Sequence, residues 1–315
     1  EIMQIQATGL ARRFQAARSK NLVIGLSGGL DSTLAFLVAI DTLHKLELDA
    51  QRLHAITMPG PGTSAGTHSN ARELAQTVEA QFVEIPIAAA VEQHLNDLDH
   101  GGEFDVVFEN AQARERTQIL FNYANKVDGI VVGTGDLSEL ALGWCTFNAD
   151  HMANYNVNAS VPKTLIAYLV RWYSQHRALN RPQLAAVLAR VLDTPISPEL
   201  IPPEGEEISQ LTESLVGPYE LHDYFLFHFL RHGSRPKKIF DLARRSFTGV
   251  YSESEIAHWL AQFFRRFVGQ QFKRSTLPPG PKVGSVSLSP RGDWRMPDEA
   301  SARALLDEID KLQTT

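Results

Sequence analysis

Residues 21–39, NLVIGLSGGLDSTLAFLVA, constrain the fold more than any other stretch of the chain. Residues 22–26 are an unbroken apolar run, which predicts a strand buried on both faces of a parallel sheet. Ser27-Gly28-Gly29-Leu30-Asp31-Ser32 follows at once, and residues 33–46 then carry apolar side chains at helical spacing. Strand, glycine turn and helix in that order aim free helix N–H groups and the positive dipole end at the turn. That is an anion site, and a pyrophosphate suits it. The two glycines permit positive φ and close backbone approach. No Gly-Lys-Ser/Thr closes the turn and it lacks G-x-G-x-x-G, so it is neither a Walker A loop nor a dinucleotide fingerprint. Ser27 and Ser32 offer hydroxyls to phosphate oxygens, and Asp31 offers a carboxylate to Mg²⁺. The plain alternative is a tight βα turn capped by Ser and Asp, but the full S-G-G-x-D-S after a buried strand weighs against it.

The alternation continues downstream. Residues 53–58, 82–87 and 129–133 read as further strands, the first ending in the Pro/Gly-rich loop 59–64. Residues 69–80, 91–98, 109–125 and 138–144 read as helices, with Ser69 as a cap. This pattern predicts an α/β fold, a doubly wound parallel sheet of five strands in the order 3-2-1-4-5, with helices on both faces. Crossovers should be right-handed, with ligands at the C-terminal edge of the sheet. Residues 145–161 are polar, with three Asn between 154 and 158, and read as an ordered or ligand-gated loop. From Lys163 the chain turns helical, over 165–176, 183–192, 218–231 and 236–247. Ser252 and Glu255 form a capping box for a helix through 267. A basic Pro/Gly/Ser stretch, 273–294, precedes a last amphipathic helix over 298–312. The whole chain, 1–315, reads as one domain: an N-terminal helix (1–20), an α/β core (21–165) and a helical extension with a tail (166–315).

Composition narrows the partners. A net charge of −6 argues against a nucleic-acid partner. No apolar run reaches the ~18 to 20 residues of a membrane span. One cysteine, Cys145, excludes an internal disulfide and a cysteine-based zinc site, and a cytoplasmic location is expected.

The hexapeptide 27–32 resembles the pyrophosphate loop of the ATP pyrophosphatase superfamily, whose members split ATP between its α- and β-phosphates. Further motifs select within it: Phe108 to Arg116 (FENAQARER), Val132 to Glu139 (VGTGDLSE), Val161 to Leu165 (VPKTL) and Ser289 to Trp294 (SPRGDW). Together they resemble the synthetase domain of NAD synthetase, in the branch where it follows an N-terminal glutaminase. The resemblance runs almost end to end. It implies a ligase of NAD biosynthesis that adenylates the nicotinate carboxylate of deamido-NAD with ATP, releases pyrophosphate, and lets ammonia displace AMP. Another amidoligase of the superfamily, such as an ammonia-using GMP synthetase, is the alternative.

The resemblance also implies site residues. Ser27, Gly28, Gly29, Leu30, Asp31 and Ser32 would hold the leaving pyrophosphate, with Met58, Thr134, Lys163 and Ser197 completing the ATP site. Asp31 and Glu139 would bind Mg²⁺. Arg114, Asn154, Phe272 and Lys273 would contact deamido-NAD. Asp31, Lys163, Lys273 and Asp293 are the candidate catalytic residues, Asp293 in a tail that folds over the point of ammonia arrival. Single-domain, ammonia-dependent members carry Lys where Phe147 falls and Asp where Asn154 falls, which leaves the nicotinate side of 145–158 least defined. A nitrilase-type glutaminase needs a Glu–Lys–Cys set that these residues do not supply. The chain is therefore expected to be a natural single-domain form or a C-terminal half, using free ammonia or ammonia from a separate glutaminase domain or subunit. A homodimer built on the helix 109–125 is expected.

Overall fold

The computed structural model describes residues 1–63, 65–194 and 212–313. Five parallel strands form one sheet: β1 (Asn21–Gly25), β2 (Leu53–Thr57), β3 (Gln81–Glu84), β4 (Gly129–Gly133) and β5 (Tyr155–Asn156), in the order β3-β2-β1-β4-β5. The expected order 3-2-1-4-5 is the order found. In register, Ile24 of β1 lies beside Ala55 of β2 and Val132 of β4.

Around the sheet come α1 (Ile2–Ala16), α2 (Leu30–Lys45), α3 (Ala65–Thr77), α4 (Ala88–Asp97), α5 (Val106–Lys126), α6 (Leu137–Leu142), α7 (Lys163–His176) and α8 (Pro182–Asp193). The helical extension adds α9 (Thr212–Val216), α10 (Tyr219–His232), α11 (Pro236–Ser246), α12 (Glu253–Gly269), α13 (Gln271–Arg274) and α14 (Arg303–Gln313). Ser252 caps α12 through the expected capping box.

The two-residue period of a strand sorts the core. Leu22 and Ile24 of β1 pack on one face with α1, α2, α7 and α8. Val23 points the other way, into a cluster with Ile56, Val91, Phe108 and Val131 beneath α4 and α5. A third cluster, rich in phenylalanine, joins α6 to α10, α11 and α12 through Leu140, Phe225, Phe240, Phe263 and Phe267. Among the described residues there are three buried apolar centres, and α6 belongs to the last of them.

Several expectations change, among them the last helix, which begins at Arg303 and not at 298. Helix α3 begins a turn earlier than 69, so Ser69 lies inside it and donates its hydroxyl to Glu73 (3.0 Å) instead of capping. The polar stretch 145–161 contributes the fifth strand. Its asparagines bracket backbone: Asn154 Oδ1 accepts from Val131 N (2.8 Å), and Asn156 Nδ2 donates to Gly135 O (2.8 Å). No helix among the described residues is long and apolar enough to cross a membrane.

Candidate active site

In an open parallel sheet a crevice opens where neighbouring strands send their connections to opposite sides. Here that point lies between β1 and β4. A cleft of about 530 Å³ sits there, reached by Ser27 after β1, Met58 after β2 and Thr134 after β4.

The turn after β1 is fixed by its own hydroxyls. Ser27 Oγ lies 3.0 Å from Ser32 Oγ and accepts from Gly29 N at 3.2 Å, while Ser32 Oγ lies 3.1 Å from Gly29 O. Gly28 has φ +86°, and a Cβ there would stand 2.0 Å from the Thr67 carbonyl oxygen. Backbone sterics and neighbour contact both demand glycine. Gly28 is buried behind the turn, whereas Ser27, Gly29, Leu30, Asp31 and Ser32 line the cleft.

Asp31, in the first turn of α2, meets two more carboxylates. Oxygens of Asp31, Asp136 and Glu139 all lie within 4.8 Å of one another. Asp136 caps α6, its Oδ1 accepting from Ser138 N (2.7 Å) and Glu139 N (2.9 Å). Lys163, at the start of α7, sends Nζ into this group: 2.5 Å to Asp31, 2.7 Å to Asp136 and 2.9 Å to Glu139. A cation at a helix N-terminus is normally disfavoured; here three carboxylates offset that. Burial works against the Lys163 charge, yet Asp136, Asp31 and Glu139 hold its pKa well above the usual lysine range. Burial pushes Asp31 up to about 6 despite the nearby Lys163 ammonium. Burial, then the Asp136 carboxylate, raises Glu139 well above the carboxylate range.

Ionised together, three carboxylates around one ammonium would carry excess negative charge, and Asp31 Oδ1 is buried without a hydrogen-bond partner. Hard oxygen donors with uncompensated charge fit a divalent cation such as Mg²⁺.

The two loops that carry these groups are locked together. Asn158 Nδ2 donates to Asp31 O (3.0 Å) and to Thr134 O (3.0 Å), and Gln6 Nε2 of α1 donates to Asn158 Oδ1 (3.2 Å). Behind them, three cations cap the far end of α6. Arg274 donates to Leu140 O (3.2 Å) and Ala141 O (2.9 Å), Arg266 to Leu142 O (3.0 Å), and Lys273 to Gly143 O (2.9 Å) and Cys145 O (2.6 Å).

Of the residues singled out from sequence, Ser27, Gly29, Leu30, Asp31, Ser32, Met58, Thr134, Glu139, Lys163 and Lys273 come together in the cleft lining. Gly28, behind the turn, and four others stand outside that lining. Arg114 is exposed on α5, and Asn154 is spent on β4. Phe272 packs its ring on Phe147 (5.5 Å between centroids), and Asp293 pairs with Lys282 (2.6 Å). Ser197 lies outside the described residues. Sequence reasoning passed over Asp136, Asn158 and Arg116. Asp136 carries a legible signal, an acid three residues before Glu139 directly after a buried strand. Arg116 does line the cleft, with Nε donating to Met58 O at 3.2 Å.

The sequence profile of the NAD synthase family matches residues 2–251. The glutamine-dependent NAD(+) synthetase of Mycobacterium leprae is 45% identical over 335 aligned positions, covering 99% of this chain and 49% of that protein. The corresponding protein of Synechocystis is 30% identical over 300 positions, covering 94% of this chain and 48% of its own length. The chain thus spans about half the length of the curated relatives it matches. Among solved structures, a glutamine-dependent NAD(+) synthetase from Cytophaga hutchinsonii shares the fold, with TM-score 0.80 at 20% identity, covering 98% of this chain and 55% of that one. A profile match over most of the length, joined to a relative that aligns with nearly every residue, establishes that this chain belongs to the NAD synthase family.

Proposed function

We propose that the cleft adenylates the nicotinate carboxylate of deamido-NAD with ATP and then lets ammonia displace AMP to give NAD. The observation that carries this reading is the Asp31–Asp136–Glu139–Lys163 cluster beside the Ser27–Ser32 turn, where negative phosphates and a negative nucleophile must be brought together. Such a step depends on fixed dipoles and cations aimed at the developing charge.

The turn binds the leaving pyrophosphate through its N–H groups and the Ser27 and Ser32 hydroxyls. Thr134 and Met58 border the nucleotide, and Lys163 neutralises phosphate charge. Lys273 and Arg116 add positive charge on the side where the acceptor carboxylate would lie. Asp31, Asp136 and Glu139 are the residues that would hold Mg²⁺, which supplies charge neutralisation on the phosphate oxygens when bound. Ammonia, free or delivered by a glutaminase, is the nitrogen donor. A homodimer is part of the reading. Leu98, Phe104 and Val106, between the end of α4 and the start of α5, are exposed by 54%, 57% and 65%, and Arg114 is exposed further along α5.

The test is pyrophosphate release from Mg²⁺·ATP by the purified chain. Release that requires deamido-NAD, followed by NAD and AMP on adding ammonium, is expected. Release that ignores deamido-NAD, or that responds to a purine nucleotide acceptor instead, sinks the reading.

A further inference from the structure

We infer that Asp223, on α10 of the helical extension, is a positioning residue for this site, holding Lys163 and Glu139 in place through Ser138 and Thr164. Asp223 touches none of the reacting groups. One of its oxygens accepts a short hydrogen bond from the Ser138 hydroxyl. The other accepts from Thr164 N (3.1 Å) and Thr164 Oγ1 (2.7 Å). Ser138 Oγ in turn accepts from Lys163 N at 2.9 Å. Thus one carboxylate from a distant helix ties the start of α6, next to Glu139, to the start of α7, next to Lys163.

Several facts single out this contact. Ser138 is fully buried, and burial pushes the Asp223 carboxyl up to about 6, so the group is kept there against its own desolvation. A half-buried carboxylate is stabilised when its lone pairs are used, and these meet three donors from two helices. The support is rigid: Leu221, Phe225 and Leu226 seat α10 in the phenylalanine-rich core. One turn before Asp223, Tyr219 is buried with its ring 5.3 Å from Lys163 Nζ. Tyr219 and Asp223 lie four residues apart, so one face of α10 reaches Lys163 through Tyr219 and its neighbours Ser138 and Thr164 through Asp223. A displacement of about 1 Å in a charged site costs rate out of proportion to stability.

The activity arm of the test rests on the adenylation reading above; the binding arm does not. Asp223→Ala, Asp223→Asn, Ser138→Ala and the Asp223→Ala/Ser138→Ala pair are compared, at a temperature where circular dichroism shows each folded. Acceptor-dependent pyrophosphate release gives kcat and KM for ATP, and calorimetry gives Mg²⁺·ATP affinity. Asp223→Ala should lower kcat by about tenfold or more. Asp223→Asn should recover part of it, since its amide oxygen still accepts from Thr164 while its NH₂ donates to Ser138. The double variant should be no worse than Asp223→Ala alone, because both act through one network. A folded Asp223→Ala with wild-type kcat and affinity overturns the inference, as do single losses that simply add. If the wild-type chain shows no acceptor-dependent release, the adenylation reading has failed and Asp223 is judged on calorimetry: weakened Mg²⁺·ATP binding upholds it, unchanged binding overturns it. If Asp223→Ala does not fold, Asp223→Asn and Ser138→Ala decide by the same criteria.

Discussion

Lys163 brings one ammonium to three carboxylates, and that imbalance has a measurable sign. Lys163→Met leaves Asp31, Asp136 and Glu139 facing one another, so stability should fall by about 3 kcal/mol, the order expected when one partner of a buried ion pair is removed. Added Mg²⁺ should restore much of that loss, read as Tm against Mg²⁺ concentration. A deficit that Mg²⁺ leaves untouched would contradict the metal reading of the three acids. His222 offers a second residue-scale test. It is buried, its Nε2 donates to Val216 O (2.7 Å), and its Nδ1 has no hydrogen-bond partner. Burial lowers its pKa from 6.5 to about 4. The unfolded chain therefore takes up a proton that the folded one refuses, so this stability is present above pH 6.5 and is lost as pH falls toward 4. At about 1.4 kcal/mol per pH unit the loss reaches about 3 kcal/mol. His222→Gln should flatten the pH dependence of the urea midpoint across that window relative to wild type. Asp31, Glu139 and Lys163 were legible because each sits in a motif beside a strand end or a helix start. Asp136 carried a signal that was passed over, because an acid just ahead of a helix reads as a cap, and here it is a cap as well as a member of the cluster.

At the scale of the element, α6 is the unusual piece. It has six residues, too few for intrinsic stability, yet Asp136, Ser138 and Glu139 all depend on it. Its N-terminus is held by the Asp136 cap and Asp223. Its C-terminus closes on Gly143 in the left-handed region (φ +60°), with Trp144 N returning to Glu139 O at 2.9 Å. Arg266, Lys273 and Arg274 take the remaining carbonyls. Arg274 is 1% exposed, and burial lowers its pKa to about 10. Arg274→Met should strand the Leu140, Ala141 and Phe267 carbonyls and cost about 3 kcal/mol, seen as a lower urea midpoint at unchanged slope. Arg274→Lys should not restore it, because one ammonium cannot span what the guanidinium fork reaches. The sequence showed a helix near 138–144 through its apolar spacing. It could not show the caps, since Arg274 and Leu140 are separated by 134 residues and no local pattern links them.

Across the whole molecule, alternating apolar runs predicted the parallel sheet, and the order β3-β2-β1-β4-β5 agrees with the expectation. The fifth strand had no such signal: Tyr155–Asn156 is two residues long and polar, recruited by backbone pairing with Val132 and Gly133. The asparagines around it read as an ordered or ligand-gated loop, and their side chains brace backbone. The cation clamp on α6 has a further consequence, in the order of synthesis. A ribosome has released every acidic member of the cluster by Glu139 and its lysine by Lys163, but Arg266, Lys273 and Arg274 emerge more than a hundred residues later. A nascent chain therefore holds the right side chains long before it can hold them still. A protein ending after residue 251, where the family profile ends, should bind Mg²⁺·ATP at least about tenfold more weakly by calorimetry than the full chain. On the proposed reading, nucleotide capture therefore waits until residues 266–274 have been made.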